Sequence, residues 1–338
     1  MNSIRNSTNT TNNDNNNNNN NNVPTITNTD NNTTMNMNNM KIKIFQGTLP
    51  PQRRFFDRTE SYDPTYAIDI YKYRIKNEGN LVSKGPIFGR AYKQPELRPW
   101  TRQVLVDWLI DVTETYKIHT NTLHLTVSLI DASLKVLEIP LKKFQLLGCS
   151  CLLIASKLDE VQAVSVENLV YIADFCFDSE DLISMESNVI LALDFQLMLP
   201  TRYYFGIRLS SAAKLTPKET HFLIFLLEVS LLDIEFNSYT PSMIAAAALH
   251  MTLQILRPRK SVLWPAHIES HSGYAEKDFV DILIMLAQFH WGLEETNCKN
   301  VLKKYDKQAF NNVSRIMAIK ISDIRFDNSV LLEALTLK

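Results

Sequence analysis

Glycine is scarce in this chain, eight in 338 residues, and none forms a P-loop or a GxGxxG turn. A phosphate-cradling loop needs glycine where backbone N–H groups converge on the anion, so nucleotide chemistry is not expected. Cysteine is scarce too: Cys149, Cys151, Cys176 and Cys298 contain no CxxC pair. The thiols therefore read as small core residues in a reducing compartment, not as disulfides or zinc ligands. Neither sign of charge is in excess, with 35 Lys and Arg against 36 Asp and Glu. So balanced a chain carries no global attraction to DNA or to an anionic membrane. No apolar run approaches the roughly 18 residues that span a bilayer. The opening MNSIRNSTNT holds no signal-like hydrophobic segment. The expectation is a soluble intracellular protein without membrane contact.

What is present is apolar surface in quantity, 45% of residues, enough for one large or two ordinary domains. Its centre is KFQLLGCSCLLIASKLDE, Lys143 to Glu160. From Leu146 to Ala155 this stretch is apolar or small on every side and lacks Pro, the pattern of a buried helix. It ends abruptly in Lys157, Asp159 and Glu160, which delivers a charged end to the surface.

Residues 1–40 are rich in Asn and Thr, with an unbroken Asn run from Asn15 to Asn22, and are expected to be disordered. A Pro- and Arg-bearing connector, Thr48 to Arg58, follows. Asp63-Pro64 reads as a cap and first helical residue, opening a helix whose Tyr66, Ile70 and Tyr73 form one stripe against a larger body. The next helix, Pro99 to Tyr116, gathers Val104, Leu105, Trp108, Leu109 and Val112 on one broad apolar face, with Arg102 near that face and in need of a partner. A third, Asn121 to Leu137, turns Leu125, Leu129, Ala132 and Val136 inward with Asp131 among them. Ser165 and Asp178 cap two more.

The pattern then recurs. Thr201 to Ala212 is helical, Thr216-Pro217-Lys218-Glu219 is a capping box with a leading Pro, and Thr240-Pro241 opens a second small-residue-rich buried helix. A turn near Trp264 and an amphipathic helix from Glu276 to Gly292 complete another five, and Asn297 to Asp306 also reads as helix. Similar order and spacing predict two copies of one all-α unit.

Catalytic and metal-binding arrangements are not apparent. His267 and His271 are four apart, but HIESH does not place its acid as HExxH does and no third ligand is evident. Gly148-Cys149-Ser150-Cys151-Leu152 lacks the second Gly and the preceding strand of a nucleophile elbow. Neither an enzyme nor a cofactor or metal site is expected.

Arg102, Asp131, Leu146, Lys157 and Glu186 instead form a set, embedded in TRQVLVDWLIDV, HLTVSLIDASL, FQLLGCSCLLIASKLDE and SMESNVILALDF. This set resembles the cyclin box, and SLLDIEFNSYTPSMIAAAAL with SGYAEKDF resembles the second box of A- and B-type cyclins. The resemblance implies an all-α fold of two tandem five-helix boxes. Residues 1–60 would be tail and connector, 61–80 an N-terminal helix, 95–199 and 200–306 the boxes, and 307–338 a C-terminal tail. It implies a regulatory subunit that activates a cyclin-dependent Ser/Thr kinase in cell-cycle control, at entry to mitosis, in nucleus and cytoplasm. Lys157 and Glu186, with Asp159 and Glu160 beside them, would grip the kinase, and Arg102 with Asp131 would be a buried structural pair. Relatives that recruit Arg-x-Leu-bearing substrates or inhibitors do so through a groove corresponding here to Val104, Leu105, Trp108, Asp111 and Gln145. Thr101 stands where such a groove has Met.

Two alternatives belong to the same resemblance. A cyclin-fold transcription adaptor would bind nucleic acid, and the near-neutral charge and cysteine-free N-terminus disfavour it. A transcription-type cyclin is the nearer rival, disfavoured by the second box. Direct nucleic-acid binding is not expected.

Overall fold

The computed structural model describes residues 64–79, 88, 93–258 and 262–326; the Asn-rich tail, the connector and the Asp63 cap lie outside them. Apart from an isolated bridge between Phe88 and Gln94, the regular structure among these residues is helical. Helix α1 (Pro64–Glu78) comes first. A set of five follows: α2 (Pro99–Thr115), α3 (Thr120–Val136), α4 (Phe144–Asp159), α5 (Val166–Ile172) and α6 (Ser179–Ala192). A second set repeats it: α7 (Arg202–Ala212), α8 (Pro217–Leu232), α9 (Pro241–Leu256), α10 (Ala266–Ser272) and α11 (Val280–Gly292). The short α12 (Asn300–Tyr305) closes the second set.

Local chemistry starts several of these helices where the sequence says it does. Ser165 Oγ accepts from the Asn168 N–H, and Asp178 Oδ1 from the Asp181 N–H at 2.8 Å. Thr216 and Glu219 form a reciprocal capping box. Each such bond satisfies a first-turn donor that has no partner within the helix, worth about 1 kcal/mol. Each set is built around its small-residue helix. In α4 every residue from Phe144 to Ser156 is buried, and it packs chiefly on α3 and α6. In α9 the run Ala245–Ala248 is fully buried, and the helix packs on α7 and α8. Small residues allow the approach: a Cβ on Gly148 would meet the Leu105 side chain at 3.0 Å.

Several expectations are corrected. Tyr66 and Tyr73 of α1 face outward at 62% and 64% exposure, while Tyr71 and Ile75 pack on the body. Polar anchors decide that register. The Tyr71 hydroxyl donates to the His271 and Ser272 carbonyls, and the buried Glu78 carboxylate accepts from the Ser242 N–H and Oγ–H at 3.0 and 2.6 Å. Arg208 and Arg74 lie over the Tyr71 and Tyr204 rings. Val136, in the last turn of α3, is 45% exposed and not inward. The helix expected from Glu276 to Gly292 is broken: Glu276–Asp278 is a 3-10 turn and α11 begins at Val280. The break has local causes, since Asp278 caps the Ala275 N–H and Glu276 is held by His250 at 2.8 Å.

Helix α12 is shorter than the expected Asn297–Asp306. It is tied to both sets. Asp107 of α2 accepts from the Asn300 and Val301 N–H groups, while Lys304 and Tyr305 donate to the buried Glu228 of α8 at 2.6 and 2.7 Å.

Candidate functional site

Helices α4 and α6 lie side by side, and their contact brings Lys157, in the last turn of α4, against Glu186, midway along α6. Lys157 Nζ donates to both carboxylate oxygens, at 2.6 and 2.8 Å. The lysine side chain is 49% exposed and the glutamate 11%. An ammonium has three donors and a carboxylate about four acceptor positions. The pair therefore holds its own geometry and keeps hydrogen-bonding capacity for a further chain.

Exposed apolar side chains lie near this pair in sequence, on the same two helices and just after them. Leu158 and Val161 follow Lys157, Ile183 precedes Glu186 by one turn, and Leu191, Phe195 and Met198 come after it; each is at least 40% exposed. Phe195 has a recognisable backbone signal: Asp194 and Phe195 both adopt left-handed φ, 48° and 58°, which turns the ring outward after α6.

Asp159 and Glu160 are not aimed with Lys157. Asp159 Oδ2 accepts from Asn121 Nδ2 and Thr122 Oγ1, both at 3.0 Å. Glu160 Oε1 accepts from the His119 N–H at 2.8 Å and Thr122 Oγ1 at 2.6 Å. Both carboxylates thus sit at the N-terminus of α3, where unpaired N–H groups and the helix dipole favour negative charge.

Arg102 and Asp131 meet as expected, through Nε at 2.6 Å and Nη2 at 2.7 Å. The connection extends further than two helices: Arg102 Nη1 donates to the Leu231 carbonyl of α8, and Asn237 Nδ2 to Asp131 Oδ2, each at 2.8 Å. The pair thereby ties the first set of helices to the second.

The residues of the expected groove are largely interior. Thr101, Leu105, Trp108 and Gln145 are at most 9% exposed, with only Val104 and Asp111 half-buried at the edge. Burial pushes the Asp111 carboxyl up, against the pull of Lys303 and Lys307 and with the help of Glu114. His271, offered by its spacing as a metal ligand, instead places Nδ1 2.7 Å from the His267 carbonyl.

Both sets of helices are matched by known sequences. The profile of the cyclin N-terminal domain matches residues 69–198, and that of the cyclin C-terminal domain residues 200–318. The chain belongs to the cyclin family. Among relatives, cyclin-B1-3 of Arabidopsis thaliana is 34% identical over 75% of this cyclin and 60% of its own length. The G2/mitotic-specific cyclin-B of Spisula solidissima is 32% identical over 75% and 58%. Cyclin-A1 of Xenopus laevis is 34% identical over 66% and 53%. This cyclin thus spans between half and two thirds of the length of those relatives. A viral cyclin from herpesvirus saimiri shares the fold, with a TM-score of 0.53 and 22% identity over 58% of this chain and 86% of that one.

Proposed function

We propose that this cyclin is a regulatory subunit that binds and activates a cyclin-dependent Ser/Thr kinase through the face carrying Lys157 and Glu186, acting in the nucleus and cytoplasm at entry to mitosis. One observation carries the reading: a preformed Lys157–Glu186 pair, half open to solvent, on helices that also expose Leu158, Ile183 and Leu191. Apolar side chains around a charged anchor are what a partner chain covers, because the rim excludes water and strengthens the anchor's hydrogen bonds. The remaining ammonium donor and carboxylate lone pairs would engage backbone C=O and N–H groups of the kinase. Gripping backbone in this way would hold the kinase helix whose Glu must pair with the catalytic Lys. Similarity to A- and B-type cyclins supports the mitotic assignment.

The test is reconstitution with candidate kinase subunits, measuring complex formation and phosphorylation of a model substrate. Replacing Lys157 and Glu186 by Ala together is expected to abolish activation while the helical circular dichroism and melting temperature stay near wild type. Truncating one side of a desolvated charged contact typically costs roughly 2–5 kcal/mol. Full activation by the folded double variant would overturn the proposal.

A further inference from the structure

Helix α1 precedes the first box in sequence but is fastened to the second. The Tyr71 hydroxyl donates to the His271 and Ser272 carbonyls of α10, and its ring meets Phe205 of α7 edge-on, 5.9 Å between centroids. Arg208 lies over the Tyr71 ring, and Arg74 over Tyr204. Two turns further on, the Glu78 carboxylate accepts the N–H and the Oγ–H of Ser242, in the first turn of α9. The Tyr274 hydroxyl lies 2.7 Å from Ser242 Oγ; Ser242 spends its one proton on Glu78, so Tyr274 is the donor there. These anchors reach α7, α9 and α10, all parts of the second box.

Little else holds the helix. Among its described side chains Glu78 alone is buried, and Tyr71 and Ile75 supply the half-buried apolar contacts with the core. In α4, by contrast, every residue from Phe144 to Ser156 is interior. Segments with few buried apolar contacts open at lower free energy than the core beside them. The Glu78 contact is also of a kind that releases readily. Burial pushes its carboxyl up, against the bonds from Ser242 and Tyr274, so the ionised group recovers hydration when it leaves.

We propose that α1 is a strap, latched by Glu78 on the first turn of α9, that lifts off the second box as one unit while both boxes stay folded. Lifting frees Tyr71 and Ile75 and bares a strip of the second box: the Phe205 and Tyr204 rings, the His271 and Ser272 carbonyls and the two Ser242 donors. The strap thereby covers or offers this strip without unfolding either box.

The experiment is native-state hydrogen exchange of the full chain, read by mass spectrometry on peptides from α1 and α4. In wild type the α1 amides are expected to exchange at least about a hundredfold faster than those of α4, yet slower than in the unfolded chain. Glu78→Gln sets an amide NH2 group against the two Ser242 donors, and Ser242→Ala removes one donor from the opposite side. A charge-assisted hydrogen bond lost from the closed state reads as about tenfold faster exchange in α1, with α4 unchanged. Both variants are expected to show that change, and to show it as far back as Tyr71, two turns before the latch. Ser242→Ala leaves the sequence of α1 unaltered and keeps the Thr240 cap of α9, so faster exchange there comes from the lost contact and not from helix propensity. Five results would each overturn the strap: α1 exchanging at the rate of α4, α1 unprotected in wild type, a variant that exchanges like wild type, an effect confined to the turn holding residue 78, or a matching acceleration in α4.

Discussion

Arg102 and Asp131 are joined by two parallel N–H···O bonds, and the third contact of the guanidinium crosses to the Leu231 carbonyl of the other box. The pair thus sets the position of one box against the other as well as two helices within the first. Arg102 is fully buried and Asp131 nearly so. Removing either partner strands the other charge in the interior, which typically costs roughly 3–5 kcal/mol. Asp131→Ala is therefore expected to lower urea stability by that amount and to leave Asn237 and Arg202 without their anchor. Equilibrium unfolding monitored by circular dichroism measures it, and a loss below about 1 kcal/mol would contradict the arrangement.

The contact between α2 and α12 has a predictable pH dependence. Asp107 accepts from the Asn300 and Val301 N–H groups, with Lys303 and Asp111 the nearest charges. Burial pushes its carboxyl up to about 6, against those two N–H groups and Lys303. The folded chain therefore holds this proton more tightly than the unfolded chain, whose aspartates titrate near about 4. The contribution is complete below that value and is lost as pH rises through about 6. Relative to Asp107→Asn, wild type is expected to gain up to roughly 3 kcal/mol of stability between about pH 7.5 and about pH 4. Parallel urea titrations of the two proteins across that range read the difference directly. A constant difference would mean that Asp107 titrates normally.

Much of this was legible in the sequence because the signals are local. Ser165, Asp178, Thr216 and Thr240 cap the helices they precede, and the small-residue runs of α4 and α9 are buried. The Lys157–Glu186 and Arg102–Asp131 pairs were found as members of a motif, since residues 29 positions apart have no local signal of contact. What could not be read was settled by distant partners. The stripes Tyr66–Ile70–Tyr73 and Tyr71–Ile75–Glu78 both have helical spacing, and Ser242, 164 residues away from Glu78, chooses between them. Arg202 reads as an ordinary first-turn arginine until Ser230 and Asn237 close over it.

The groove proposal makes a quantitative prediction through Thr101. Leu105 and Trp108 already spend most of their apolar surface internally, so a docked Leu finds little left to cover. We propose that Arg-x-Leu peptides still bind, weakly, along Val104 with their Arg near Asp111. Thr101→Met adds one or two methylenes of apolar contact, and a gain of about 1 kcal/mol, or about fivefold in affinity, is expected. Thr101 is itself 3% exposed, so the larger side chain must emerge at the rim, and melting temperature is measured alongside calorimetry. Absence of binding in wild type and in a normally folded Thr101→Met protein would assign these residues to the core alone.

Asp159 and Glu160 offer a way to separate stability from binding of the proposed kinase. Both stand beside Lys157 in sequence, yet their carboxylates hold the N-terminus of α3 through His119, Asn121 and Thr122. Asn121 also accepts from Thr201 Oγ1 at 2.7 Å, so the same corner reaches the start of the second box. Glu160→Ala leaves the His119 N–H and one of the Thr122 hydroxyl contacts without an acceptor, a loss of about 1–2 kcal/mol. Lys157→Ala leaves the α3 N-terminus with all its acceptors, because among the described residues Nζ bonds only Glu186, and the lysine side chain is half exposed. Glu160→Ala is thus expected to lower the melting temperature by several degrees, about 2–4 °C per kcal/mol, with kinase affinity near wild type once the folded fraction is accounted for. Lys157→Ala is expected to do the reverse. Measuring melting and kinase binding on both variants tests the division. If Glu160→Ala keeps full stability and loses the kinase, its carboxylate belongs to the binding face.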